Sequence, residues 1–144
     1  MKKKIVLVAI VIFIFVGLVV SVPLVNDFSA KNVEKSLVEI ALPENTQMVE
    51  SLSKAGKLVG NGNGMQYFGA MLIQSELTRE ELSDYYSQKN ADIIVKVQKT
   101  QKIECVEHAQ LSFTTQITDA ENYYIVYLFG EGIAPFAELD LRGH

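Results

Sequence analysis

The sequence has one cysteine, Cys105, two histidines, His108 and His144, and no acidic residue ahead of Asp27. A lone cysteine excludes an intramolecular disulfide, and in a strand-like stretch it reads as a small buried apolar residue. A structural zinc normally takes four ligands, so any complete shell here would have to recruit carboxylates. A Ser or Cys nucleophile needs a histidine base, and only His108 and the terminal His144 are on offer. The Gly60-Asn61-Gly62-Asn63-Gly64 string has neither the Gly-Lys-Ser/Thr of a phosphate loop nor the aspartates and closing glutamate of an EF-hand. Internal repeats and low-complexity linkers are absent too, and 144 residues leave room for one ordinary domain beside a membrane segment.

Charge is divided along the chain. All 17 acidic residues follow position 26, whereas Lys2, Lys3 and Lys4 take three of the 13 basic ones, so ten bases face 17 acids beyond the N-terminus and the formal charge there is −7. Such a surface repels phosphate backbones and anionic headgroups, which argues against a nucleic-acid partner. It would welcome cationic partners, and it also keeps a domain soluble.

Between these blocks lies an unbroken apolar run, residues 5–20, which 21–25 extend without a charge. At about 1.5 Å per residue, residues 5–25 suffice to cross a hydrocarbon core of about 30 Å. Three lysines ahead of the run keep the N-terminus inside by the positive-inside rule. The expected organisation is a cytoplasmic N-terminus at 1–4, a transmembrane signal anchor at 5–25 in contact with the bilayer, and an acidic extracytoplasmic domain at 26–144. A cleaved signal peptide is the competing reading, with a tolerable cut after Ser21 and Val19 at the −3 position. The apolar run exceeds the usual 7–15 residues, however, and no Ala-x-Ala site is present. A lipoprotein would need a cysteine directly after the run, and a pilin-type anchor a Gly-Phe processing site before it; the chain has neither.

Beyond the run, Val33, Leu37 and Ile40 follow helical spacing, predicting a short amphipathic helix over 28–40, capped by Ser29 and ended by Leu42-Pro43. Residues 47–59 and 65–76 flank the Gly/Asn string, the clearest hairpin signal in the chain, since these residues tolerate positive φ. The second arm is apolar at nearly every position and predicts a strand covered on both faces. Thr78-Arg79-Glu80-Glu81 forms a capping box, with Leu77 and Leu82 as hydrophobic staple, ahead of a helix over 79–89 that Asn90 closes in the left-handed conformation. Its apolar face is Leu82, Tyr85 and Tyr86. Ile93, Val95 and Val97 alternate in a half-buried strand over 92–100. Leu111, Phe113, Thr115 and Ile117 alternate at the end of a further strand over 103–117; residues 118–122 read as a turn and 123–129 as a last strand rich in aromatic and β-branched residues. The order α-β-β-α-β-β-β implies an α+β fold, one mainly antiparallel sheet of about five strands with helices packed on a face.

Glu104, Cys105, Glu107 and His108 are the one cluster of metal-capable or nucleophilic types. A strand would point Cys105 and His108 to opposite sides. No residue is therefore assigned a catalytic, metal-binding or cofactor-binding role, and no cofactor is expected. The six tyrosines offer rigid area with a polar tip, useful at binding surfaces, although core filling is their ordinary use. The function that follows is an anchored extracytoplasmic binding or accessory protein of the bacterial envelope, with a protein or envelope component as partner. The alternatives are a small envelope hydrolase or transferase built on Cys105 and His108, and a cleaved, secreted domain.

Overall fold

A computed structural model describes residues 2–118, 122–130 and 132–144, with side chains from Val6 onward. The N-terminal run and the expected amphipathic helix form one continuous helix, α1, Lys2–Val38. Ser29 is accordingly no cap: it lies mid-helix, its hydroxyl donating to the Val25 carbonyl at 2.9 Å. Pro23 also sits inside α1. It withholds one amide from the ladder, and the helix passes through because both flanks are held, by apolar continuity on one side and by packing on the other.

The two halves of α1 have opposite surroundings. Large apolar side chains from Val6 to Val20 are exposed. From Val22 onward a stripe at near-helical spacing, Val22, Asn26, Ala30, Glu34 and Leu37, is buried. That stripe lies on the hairpin of β1 (Thr46–Gly56) and β2 (Gln66–Ser75). The approach is close because β2 carries Gly69 at the crossing, where a Cβ would stand 2.5 Å from the Glu34 nitrogen.

After β2 come α2 (Arg79–Ser87), β3 (Ile94–Val97) and β4 (Tyr123–Phe129), all strand pairs being antiparallel in the order β1-β2-β4-β3. The class is α+β as expected, but the described residues hold four strands rather than five. The predicted strand at 103–117 is irregular coil with a single isolated bridge, Lys102 to Ser112. Its alternation is real in burial, with Phe113 buried, Leu111, Thr115 and Ile117 half-buried, and the residues between exposed. Period two thus reports which side faces the protein, while the amides go elsewhere. Thr114 and Thr115 both donate to the Glu50 carboxylate at 2.9 Å, in place of a neighbouring strand. Glu50 follows a register shift between Met48 and Glu50. The expected turn at 118–122 falls largely outside the described residues.

β2 and β4 are central and buried on both faces, as the apolar second arm implied. One face packs Met71, Ile73, Val126 and Leu128 beneath Leu37 of α1 and Leu82 and Tyr86 of α2. The other packs Phe68, Leu72, Ile125 and Tyr127 beneath Leu58 and the 103–117 coil, which inserts Ile103, Val106 and Phe113. Helices therefore cover one face, and coil covers the other.

The capping box is present: Thr78 accepts from the Glu81 amide, and Glu81 accepts from the Thr78 amide at 2.8 Å. α2 ends at Ser87 with Gln88 as a right-handed cap, shorter than the predicted 79–89, and Asn90 does not adopt positive φ. Instead the Asn90 side chain accepts from the Asp92 amide at 2.9 Å, turning the chain toward β3. β3 itself is shorter than 92–100, and Val97 stays half-exposed on this edge strand.

Candidate binding surfaces

The Glu104–His108 cluster is taken apart by the fold. His108 Nε2 lies 2.7 Å from the Gly60 carbonyl, the Glu107 carboxylate accepts from the Gly60 amide at 3.1 Å, and both backbone amides donate to the Leu58 carbonyl. Glu107 and His108 thus clamp the coil onto the glycine hairpin. Cys105 turns inward beside Tyr127, where burial pushes its thiol up, with Lys96 opposing. A thiol held protonated is a poor nucleophile, and His108 is engaged elsewhere. Among the described residues no group of three or more His, Cys, Asp or Glu side chains could hold a metal ion.

Cys105 does line an open cleft of about 470 Å³ together with Lys96, Lys99 and Lys102. Three lysines around one cleft stand out on a domain whose net charge is negative. At the far end of the sheet from the exposed apolar helix, where β1 starts and β2 ends, a second open cleft of about 420 Å³ is lined by Asn45, Gln47, Gln74, Glu76 and Asn122. Gln47 Nε2 donates to Gln74 Oε1 across the strand pair at 2.5 Å. Amides of this kind present donors and acceptors together and suit hydrogen-bonding ligands such as peptide backbone.

A third feature had no counterpart in the sequence reading. The C-terminal tail, two single-turn 3₁₀ helices at Ala137–Leu139 and Leu141–Gly143, is tied to α1 through a buried polar network. Asn26 donates to Asp140 and accepts from the Tyr67 hydroxyl, both at 2.8 Å, and the Ala134 amide donates to that hydroxyl at 3.0 Å. Arg142 donates to Asp140, to Asp27 and to the Pro23 carbonyl. The Arg142 bonds hold the Asp140 carboxyl down at about 2 against the cost of burial, with Asn26 assisting, and Asp140 and Asp27 in turn raise the guanidinium. A polar residue on the buried helical stripe, Asn26, was the available signal; its partner lies 114 residues away.

A second buried acid, Glu34, is nearly enclosed and receives Lys31 and Ser51 at 2.7 Å each. Burial raises its pKa, but these hydrogen bonds and the Lys31 charge outweigh it, so the net shift is downward.

The fold and its surfaces define an acidic α+β domain carried on one long, largely apolar helix. No family model matches the chain, and no curated protein or solved structure matches it either.

Proposed function

We propose that the protein is a single-pass membrane protein of the bacterial envelope, with the N-terminus inside, that holds an acidic binding domain on the outer side of the bilayer. The observation that carries this reading is the division of α1. From Val6 to Val20 it exposes only apolar side chains, and its second half is a structural element of the domain. Apolar side chains from Val6 to Val20, about half or more exposed at most positions, are compatible with lipid and costly in water. Because α1 is unbroken, the domain follows the membrane without a flexible linker.

The domain's role in this reading is recognition rather than catalysis. Cys105 and His108 are not assembled as a nucleophile–base pair, which weakens the hydrolase or transferase alternative. The amide-lined cleft is at the membrane-distal end, where a protein or envelope component would meet it.

Cleavage after Ser21 remains the second reading, and one observation favours it: burial of α1 begins at Val22, so the cut would release the packed half intact. Intact mass of the chain purified from its host separates the two. A mature chain retaining residues 2–21, resistant to alkaline carbonate extraction and digested from the outside of spheroplasts, upholds the anchored domain. A chain beginning at Val22 and found free of membranes would replace it with the secreted form. Gln47→Ala with Gln74→Ala should then abolish cross-linking to the bound component, whereas Cys105→Ala with His108→Ala should leave it intact.

A further inference from the structure

The last twelve residues carry an apolar patch that the domain itself does not use. Ile133, Phe136, Leu139 and Leu141 are 70%, 65%, 62% and 86% exposed. Scattered exposed apolar residues are ordinary, but four large ones within nine positions form a patch that calls for a partner. Phe136 adds a second observation, since it is held at φ 61°, a left-handed conformation unusual for an aromatic residue, while its ring points into solvent.

The position of the patch identifies the partner. β2 runs in the same direction as α1: Tyr67 reaches Asn26, and Gly69 further along faces Glu34. The tail follows β4, whose Phe129 is paired with Phe68 near the start of β2. Arg142 then bonds the Pro23 carbonyl. The tail is therefore fixed at the end of the domain where the apolar helix leaves it. The glycine hairpin is at the same end, with the Gly64 amide donating to the Gly143 carbonyl at 2.7 Å, and its tip bears only Gly and Asn.

Length supplies the third argument, resting on the reading of α1 as a membrane span. Residues 5–21, the part of the apolar run free of the domain, rise about 25 Å, short of the roughly 30 Å hydrocarbon core. The remainder, 22–25, is flanked by the tail. A span that reaches across must draw this end of the domain down to the lipid surface, and Leu24, Val25 and Phe28 on the uncovered side of α1 are exposed apolar residues at the same level.

We infer that the C-terminal tail is a second membrane contact, seating Ile133, Phe136, Leu139 and Leu141 in the interfacial region of the bilayer that α1 crosses. Attraction to anionic headgroups is not the driving force: Asp27, Glu138 and Asp140 lie in or beside the tail, Arg142 is paired to both aspartates, and among the described residues Lys57, whose amide donates to the Arg142 carbonyl, is the one further lysine or arginine bonded to it. The contact is apolar and should persist in high salt on zwitterionic lipid.

The chain has no tryptophan, so single reporters can be placed in the full-length protein. Phe136→Trp and, independently, Leu139→Trp are reconstituted in phosphatidylcholine vesicles containing lipid brominated near the glycerol end of its acyl chains. Phe13→Trp reports the apolar run and Met48→Trp the membrane-distal end of β1. Both tail reporters should lose about half of their emission, as interfacial apolar side chains do, with Met48→Trp unaffected and Phe13→Trp quenched more by deeply brominated lipid. Tail reporters as unquenched as Met48→Trp, beside a quenched Phe13→Trp, would overturn the tail contact and leave the anchor standing. Blue-shifted but unquenched tail emission would overturn it in favour of a second copy of the chain on the patch. An unquenched Phe13→Trp would remove the anchor and the tail contact together.

Discussion

Arg142 donates from Nη2 to the backbone carbonyl of Pro23 at 3.0 Å, so the third residue from the C-terminus reads the point in the helix where a proline interrupts the ladder. The same guanidinium neutralises buried Asp140 and reaches exposed Asp27. One side chain therefore joins the tail, the acid and the helix at the junction between the apolar run and the domain.

Replacing Arg142 by Ala should be among the most damaging changes outside the core. Truncating one member of a fully buried ion pair costs about 3–5 kcal/mol. Arg142 is 35% exposed and water would screen part of the loss, so about 2 kcal/mol is expected here. Thermal unfolding of the full chain in detergent measures it. A shift in midpoint no larger than that of Arg79→Ala, a surface pair, would show that the latch does not contribute.

Acid should loosen the tail in a defined window. Asp140 has its folded pKa depressed from 3.8 to about 2, so its contribution is fully present above the unfolded value and disappears as pH falls through about 2. The shift corresponds to about 2 kcal/mol. Glu34, also lowered, acts with the same sign below its ordinary value of 4.5. Stability measured by urea unfolding between pH 6 and pH 2 should be flat at first and then decline. In Asp140→Asn the decline should be shallower, and an unchanged slope would refute the assignment.

Gly69→Ala should lift α1 off the hairpin. The added Cβ would meet the Glu34 nitrogen and Cα and the Val33 carbonyl carbon at 2.5–2.8 Å, all backbone atoms with no flexible end to yield. Overpacking of this kind costs about 1–3 kcal/mol, and the upper end is expected here. Gly62→Ala, where a Cβ meets nothing within 4 Å, is the matched control and should leave the melting temperature unchanged.

Tyr86→Phe should be neutral or stabilising. The Tyr86 side chain is fully buried, and among the described residues its hydroxyl has no hydrogen-bond partner. Removing an unpaired buried hydroxyl recovers on the order of 1 kcal/mol. Burial, with neighbouring Tyr85 assisting, pushes this phenol up to about 12, so the variant should also lose one late step in a spectrophotometric tyrosine titration. A drop in stability would reveal a partner for the hydroxyl.

Signals that act over three or four residues were legible in the chain. The Thr78–Glu81 box starts α2 because donor and acceptor lie within one turn, and the Gly/Asn string breaks the hairpin because its φ preferences are local. Ser29 misled for the same reason. It is a good cap in isolation, but the apolar run continues through it into the packed stripe, and helix continuity outweighed a local preference. The alternation at 111–117 described the burial of a coil whose amides are satisfied by Glu50, 64 and 65 residues earlier.

The sequence by itself determined the long apolar run, the sign asymmetry of charge on either side of it and the α+β class with antiparallel strands, because each depends on side-chain character repeated at short spacing. Tertiary structure alone decided that the run and the first domain helix are one rod, that four strands carry the sheet among the described residues, and that Glu107 and His108 bond to the glycine hairpin. It also decided that the tail returns to Pro23 and Asn26. Contacts separated by more than a hundred residues leave no periodicity in the chain, and whether a polar group is buried with a partner is settled only when the chain closes on itself.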